Sequence, residues 1–215
     1  MSTSGQGVAM GLKSALLSFS RGTPREAMRA RERSVADPDR TGELLAEVFP
    51  GRRLTEVGKA DVDAVIWPPE GMVFAGRFPG LDLVCCREWI EDPPTELTDL
   101  VRRVGAGRSA TAHLTHSTVD LLAFARWEDG VPRRALSVNP DDGIVQDLGE
   151  RLPVELPYWE GRHPVEASGT CALPFSPLEL GGALLERYFG VEGDHNPDGR
   201  LVGSGEVILT GFRFW

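Results

Sequence analysis

The chain has 215 residues, 41% of them apolar and 26% charged, and its 32 acidic side chains outnumber 23 basic ones for a formal charge of −9. That length can bury one large core without disulfide staples. The acidic balance argues against a reader of nucleic acid, which needs a basic excess to displace counterions from phosphates, and against docking on an anionic membrane.

Residues 1–9 are small, polar and aperiodic, and are expected to form a disordered extension ahead of one domain over residues 10–215. They carry neither a basic n-region nor an apolar h-region, and no run approaches the roughly 20 apolar residues that span a bilayer. A cytoplasmic protein is the expectation. Cys85, Cys86 and Cys171 form no even framework and no C-x-x-C pair, which fits reduced thiols in a reducing compartment. Two lysines, Lys13 and Lys59, stand against 21 arginines, a coding bias of high-G+C bacterial genes rather than a binding signal.

Leu12 to Phe19 reads as a first strand, and Pro24 to Arg33 as a charged helix with proline in its first turn. Thr41 to Val48 reads as a second helix, with Thr41 as its cap and Leu44, Leu45 and Val48 as its apolar stripe. Short strands are expected at Val62 to Trp67, Met72 to Ala75 and Leu81 to Cys85, separated by Pro68-Pro69-Glu-Gly71 and Pro79-Gly80. Pro93-Pro94 introduces a helix over Glu96 to Val104, with Leu97, Leu100, Val101 and Val104 on one face.

Ser109 to Thr115 and Val119 to Trp127 read as strands. Glu128-Asp129-Gly130 then turns the chain into Val131 to Val138, which should close a hairpin. Asn139 to Gly143 is a further turn before Ile144 to Leu148. From Pro153 to Pro174 the chain is rich in proline, glycine and acid, an irregular stretch unusual in a compact domain unless it covers something. Pro177 to Phe189 is the clearest helix, with Gly190 at its end, and Glu206 to Trp215 is the last strand.

The segments Gly11-Leu-Lys-Ser-Ala-Leu-Leu17, Trp67-Pro-Pro-Glu-Gly71, Phe78 to Cys85, His113 to Asp120, Trp127-Glu-Asp-Gly130, Gly149-Glu150, Pro157-Tyr-Trp159, His163-Pro-Val165 and Leu173 to Leu180 together carry a resemblance. From Met10 to the C-terminus the chain resembles a family of high-G+C bacterial proteins known only as a domain of unknown function. The resemblance implies no reaction and no catalytic residues. It places the family's start near Met10, which makes Met1 to Ala9 an extension or an alternative start.

The densest acid–base grouping is His113-Leu-Thr-His116-Ser117-Thr-Val-Asp120. On a helix its polar groups would share one face, as an acid–base or metal constellation requires. The β-branched and threonine residues favour strand, turn and strand, which sends His113 and His116 to opposite faces and leaves Ser117 and Asp120 to shape the turn. A metal would need a third ligand from His163, His195, Cys85 or Asp82, and no H-E-x-x-H or paired C-x-x-C is present, so no metal and no cofactor is expected. Ser117 lies outside any G-x-S-x-G elbow, and Cys85 closes an apolar strand where a buried structural thiol is the simpler reading. Gly181-Gly182 and Gly203-Ser-Gly205 are too short to cradle a phosphate. Trp67, Trp89, Tyr158, Trp159 and Trp215 offer walls for an apolar pocket, with Tyr158-Trp159 best placed, at the entry to the irregular stretch.

The fold expected is a single α+β domain, a mostly antiparallel sheet of short strands carrying helices near 41–48, 95–104 and 177–189. Two functions follow. One is a non-catalytic interaction or regulatory protein that recognises a protein partner or small molecule through residues 153–174, with Tyr158, Trp159 and His163 in contact. The other is a cofactor-independent enzyme acting on a small metabolite, with His113 or His116 as base and Asp120 as orienter. Nothing in the sequence sets the oligomeric state.

Overall fold

The computed structural model describes residues 12–31, 33–88, 93–164, 173–191 and 207–215. They build one nine-stranded sheet in the order β2-β9-β3-β4-β1-β5-β6-β7-β8, every neighbouring pair antiparallel. The strands are β1 (Lys13–Ser20), β2 (Leu54–Asp61), β3 (Met72–Phe78), β4 (Leu81–Cys86), β5 (Ser109–His116), β6 (Leu121–Glu128), β7 (Val131–Asn139), β8 (Gly143–Leu148) and β9 (Ile208–Phe214). Helices α1 (Pro24–Arg29), α2 (Pro38–Val48), α3 (Val62–Val65), α4 (Thr98–Val104, entered by a 3-10 turn at Pro94–Leu97), α5 (Leu156–Trp159) and α6 (Pro177–Phe189) complete it. The domain is α+β, and the expected helices at 41–48, 95–104 and 177–189 are present.

Alternation along the strands loads both faces of the sheet. Leu16, Phe74, Leu83, Cys85, Phe124 and Leu136 pack on one side with Met28 of α1, Val62 and Val65 of α3, Tyr158 of α5 and Leu184 and Phe189 of α6. Leu17, Phe19, Val73, Val84, Ala112 and Trp127 pack on the other with Leu44, Leu45 and Val48 of α2 and Val101 and Val104 of α4. Helices on both faces explain why the central strands read as continuous apolar runs instead of a one-sided alternation.

The hairpin at Asp129-Gly130 forms as read, with φ of 51° and 70°, and its register puts Ala125 opposite Ala135 and Phe124 opposite Leu136. Three local expectations are corrected, and one strand had no sequence signal. Helix α1 stops at Arg29, short of Arg33. Asp37, not Thr41, caps α2, taking the Arg40 amide at 3.0 Å with Pro38 behind it; Thr41 is buried, donating its hydroxyl to the Asp37 carbonyl. Val62 to Trp67 is no strand, because the Asp61 carboxylate accepts the Asp63 amide and starts the one-turn helix α3. Strand β2 escaped notice because it is an edge strand, exposed along most of its length and broken by a bulge at Gly58, so it carries no period-two apolar signal.

The candidate site at the start of helix α6

His113 lies mid-strand on β5 and is sealed under α6. Its Nε2 lies 2.8 Å from the Gly181 carbonyl, which can only accept, so Nε2 carries the proton. In the neutral ring Nδ1 then accepts from the Ser14 hydroxyl at 2.8 Å, and Ser14 in turn accepts from the Thr115 hydroxyl at 3.0 Å. Burial, partly opposed by the Gly181 hydrogen bond, pulls the imidazole pKa down to about 4, so the ring is neutral at pH 7. The approach depends on glycine: a Cβ at Gly181 would stand 2.6 Å from Thr115 Cγ2. Gly181 is thus a close-packing position, whereas a Cβ at Gly182 would meet only Leu12 at an ordinary 3.9 Å.

His116, three residues on, points to the opposite face, edge-on to Trp67 with centroids 5.3 Å apart, and its buried Nδ1 has no partner among the described residues. Asp120 is exposed at φ 45° in the turn between β5 and β6. The structure therefore does not bring His113, His116 and Asp120 together. Cys85 is fully buried, and desolvation raises its thiol pKa far above the ordinary value, with Cys86 and Asp63 adding to the effect. No group of three or more His, Cys, Asp and Glu gathers in metal-holding geometry among the described residues. His195, Cys171 and Trp89 lie outside them.

The other three candidates do meet. Tyr158 and Trp159 end α5, which packs beside the start of α6, and His163 follows one turn later. The His163 ring stacks on Tyr158 at 4.1 Å and 15°, and its Nδ1 lies 2.7 Å from the Glu179 carboxylate. Trp159 stands edge-on to Phe175 at 4.9 Å, with the Arg151 guanidinium 3.9 Å over its ring. Burial, then the Glu179 charge, raises the Tyr158 pKa, so its hydroxyl stays a neutral donor toward the Glu179 carbonyl.

Glu179, Phe175 and Arg151 were not foreseen. Ser176-x-x-Glu179 reads as a capping box, and Ser176 does accept the Glu179 amide. The Glu179 carboxylate turns to His163 instead, whereas the matching Glu26 of α1 closes its box on Thr23. A buried ion pair braces the same region: Arg134 from β7 donates through Nε to Glu155 at 2.8 Å and also pairs with Asp147. Burial opposes the guanidinium charge, yet Glu155 and Asp147 hold its pKa above the usual value.

Chemically, the α5–α6 corner presents an imidazole braced by a carboxylate and an indole whose Nε1 is buried with no partner among the described residues. The model of a family of unknown function matches residues 14–212 of the chain. No curated protein and no solved structure matches it.

Proposed function

The chain belongs to the DUF6928 family, a family of unknown function, and we propose that it is a non-catalytic regulatory protein of the cytoplasm that recognises a small molecule through Tyr158, Trp159 and His163. The observation that carries this is the indole Nε1 of Trp159, a buried donor left without a partner among the described residues beside a half-exposed imidazole. An unmet buried donor costs about 1–3 kcal/mol, and a ligand acceptor would recover it. The partly exposed Trp159 ring supplies apolar wall, and Arg151 over it favours an anionic or carbonyl-bearing compound. The buried thiol of Cys85 supports a reducing compartment, and the arginine-rich composition supports a high-G+C bacterial source.

The acid–base alternative draws its support from the same corner. His163 is half-exposed and oriented by Glu179, a pairing that general bases use, whereas both nitrogens of His113 are occupied inside the core. Equilibrating the protein with a metabolite extract and identifying retained compounds by mass spectrometry tests both. A compound retained by the parent chain and lost by Trp159→Phe supports recognition at this corner. Equal retention by the two chains, or none by either, overturns it, and conversion of the compound on incubation selects the enzyme.

A further inference from the structure

We propose a second, separate site: the arginine-lined cleft where β1 ends, β3 turns into β4, and β5 begins binds a small molecule through a diphosphate or an equivalent pair of adjacent phosphate groups. The cleft has a volume of about 490 Å³ and is lined by Arg21, Arg40, Arg77 and Arg108, with Asp82 at its base and the Phe78-Pro79-Gly80 turn as one wall. It lies by the first residue of β5, whereas Gly181 of α6 packs on Thr115 near the last residue of that strand.

Two of the four guanidiniums are fixed in place. The Asp82 carboxylate, 3% exposed, holds Arg108 at 2.8 Å and Arg77 at 3.4 Å. Arg108 also donates to the Val104 carbonyl at the end of α4 and lies over the Phe19 ring, while Arg77 pairs with Glu47 at 2.9 Å. Asp82 thus sets two planar forks side by side before any ligand arrives, which lowers the ordering cost of binding. Arg31 pins the turn itself, its Nε donating to the Pro79 carbonyl at 3.1 Å.

The other two are uncompensated. Arg21 and Arg40 are exposed, and neither pairs with a carboxylate among the described residues. Four guanidiniums against Asp82 and Glu47 leave a local positive excess on a chain whose overall charge is −9. Like charges gathered this way repel one another, and an anion relieves that repulsion. Guanidinium forks match phosphate oxygens two by two. A single phosphate would leave much of the volume empty, which is in the range of organic ligand pockets, so the geometry favours paired phosphates on an organic group.

Isothermal titration at low salt with inorganic pyrophosphate, inorganic phosphate, citrate and ADP tests the site. The variant R21Q/R40Q removes only the exposed pair and leaves Asp82 with both its partners, so its melting temperature without ligand should be no lower than the parent's. Pyrophosphate should bind the parent at least tenfold more tightly than phosphate, and the variant should lose at least tenfold of that affinity. A gain from ADP over pyrophosphate supports the site with a nucleotide as the source, and no gain supports it with a simpler diphosphate. Equal affinity for pyrophosphate and phosphate, tighter binding of citrate, or unchanged binding in the variant each overturns the proposal. Trp159→Phe should bind pyrophosphate as the parent does, so failure here leaves the α5–α6 corner standing.

Discussion

His113 and His163 sit against the same turns of α6, one on the Gly181 carbonyl and the other on the Glu179 carboxylate two residues earlier, yet their surroundings are opposite. His113 is 1% exposed with both nitrogens engaged, and burial favours its neutral form. His163 keeps over a third of its side chain in solvent, with one nitrogen braced by a carboxylate. In the sequence His113 was a candidate base and His163 a candidate ligand contact, and residue type alone decided neither. Partner and burial separate a histidine that joins β1, β5 and α6 from one able to meet a ligand.

If the sealed polar groups are structural, the largest effect should come from the most buried charge. Glu155→Ala leaves Arg134, 1% exposed, with Asp147 as its remaining carboxylate, and should cost about 3–5 kcal/mol in urea denaturation. A loss below about 1 kcal/mol would show that Asp147 compensates alone.

A similar loss should appear on acidification without any mutation. The folded state holds His113 with a pKa near 4, below the ordinary 6.5, so the unfolded chain binds the proton first. The contribution is fully present above about pH 6.5 and is lost as pH falls toward 4, roughly 3 kcal/mol over that window. The difference between the stability–pH profiles of the parent and His113→Ala isolates it, and parallel profiles would contradict the sealed reading.

Gly181→Ala should rank next, at about 1–3 kcal/mol, because α6 must lift off Thr115 to admit a Cβ. The displacement lengthens the bond from Gly181 to His113 and should raise the imidazole pKa toward its ordinary value by letting water in, visible as a titration midpoint moved to higher pH in the NMR titration of that ring.

How much of this was legible follows from what is local. The hairpin at Asp129-Gly130 and the helix from Pro177 to Gly190 were readable, since turn chemistry and helical periodicity both lie within a few residues. The opposite faces of His113 and His116 follow from strand alternation in the same way. The insertion of β9 between β2 and β3 was not readable, because it joins residues more than a hundred positions apart. Tyr158, Trp159 and His163 stood out beside an irregular stretch, but nothing local tied Glu179 to them, and only the docking of α5 on α6 turned its carboxylate toward His163. Arg21, Arg40, Arg77 and Arg108 stand far apart in the chain and read as coding bias. The one local hint was Asp82, a carboxylate inside the apolar strand Leu81–Cys86, which had to be paired to be buried.

The smallest stability effect belongs to the open histidine and carries the most functional weight. His163→Ala removes a pair in which both side chains are well exposed, 38% and 50%, so solvent screening holds its worth below about 1 kcal/mol. The stacking on Tyr158 adds little more, because Tyr158 retains Phe175 at 5.8 Å. The variant should therefore unfold within about 1 kcal/mol of the parent while losing any compound held at the α5–α6 corner. Trp159→Phe provides the companion measurement, since it keeps the ring on Phe175 and deletes the Nε1 donor, which has no partner among the described residues. Without a ligand, removing an unmet buried donor should leave the stability unchanged or slightly raised. With the ligand, the same change should weaken binding, because the acceptor then loses its partner. A clear destabilisation by Trp159→Phe in the absence of ligand would mean that the indole is already satisfied, and the contrast between the sealed and the open side of α6 would then collapse into one packed core.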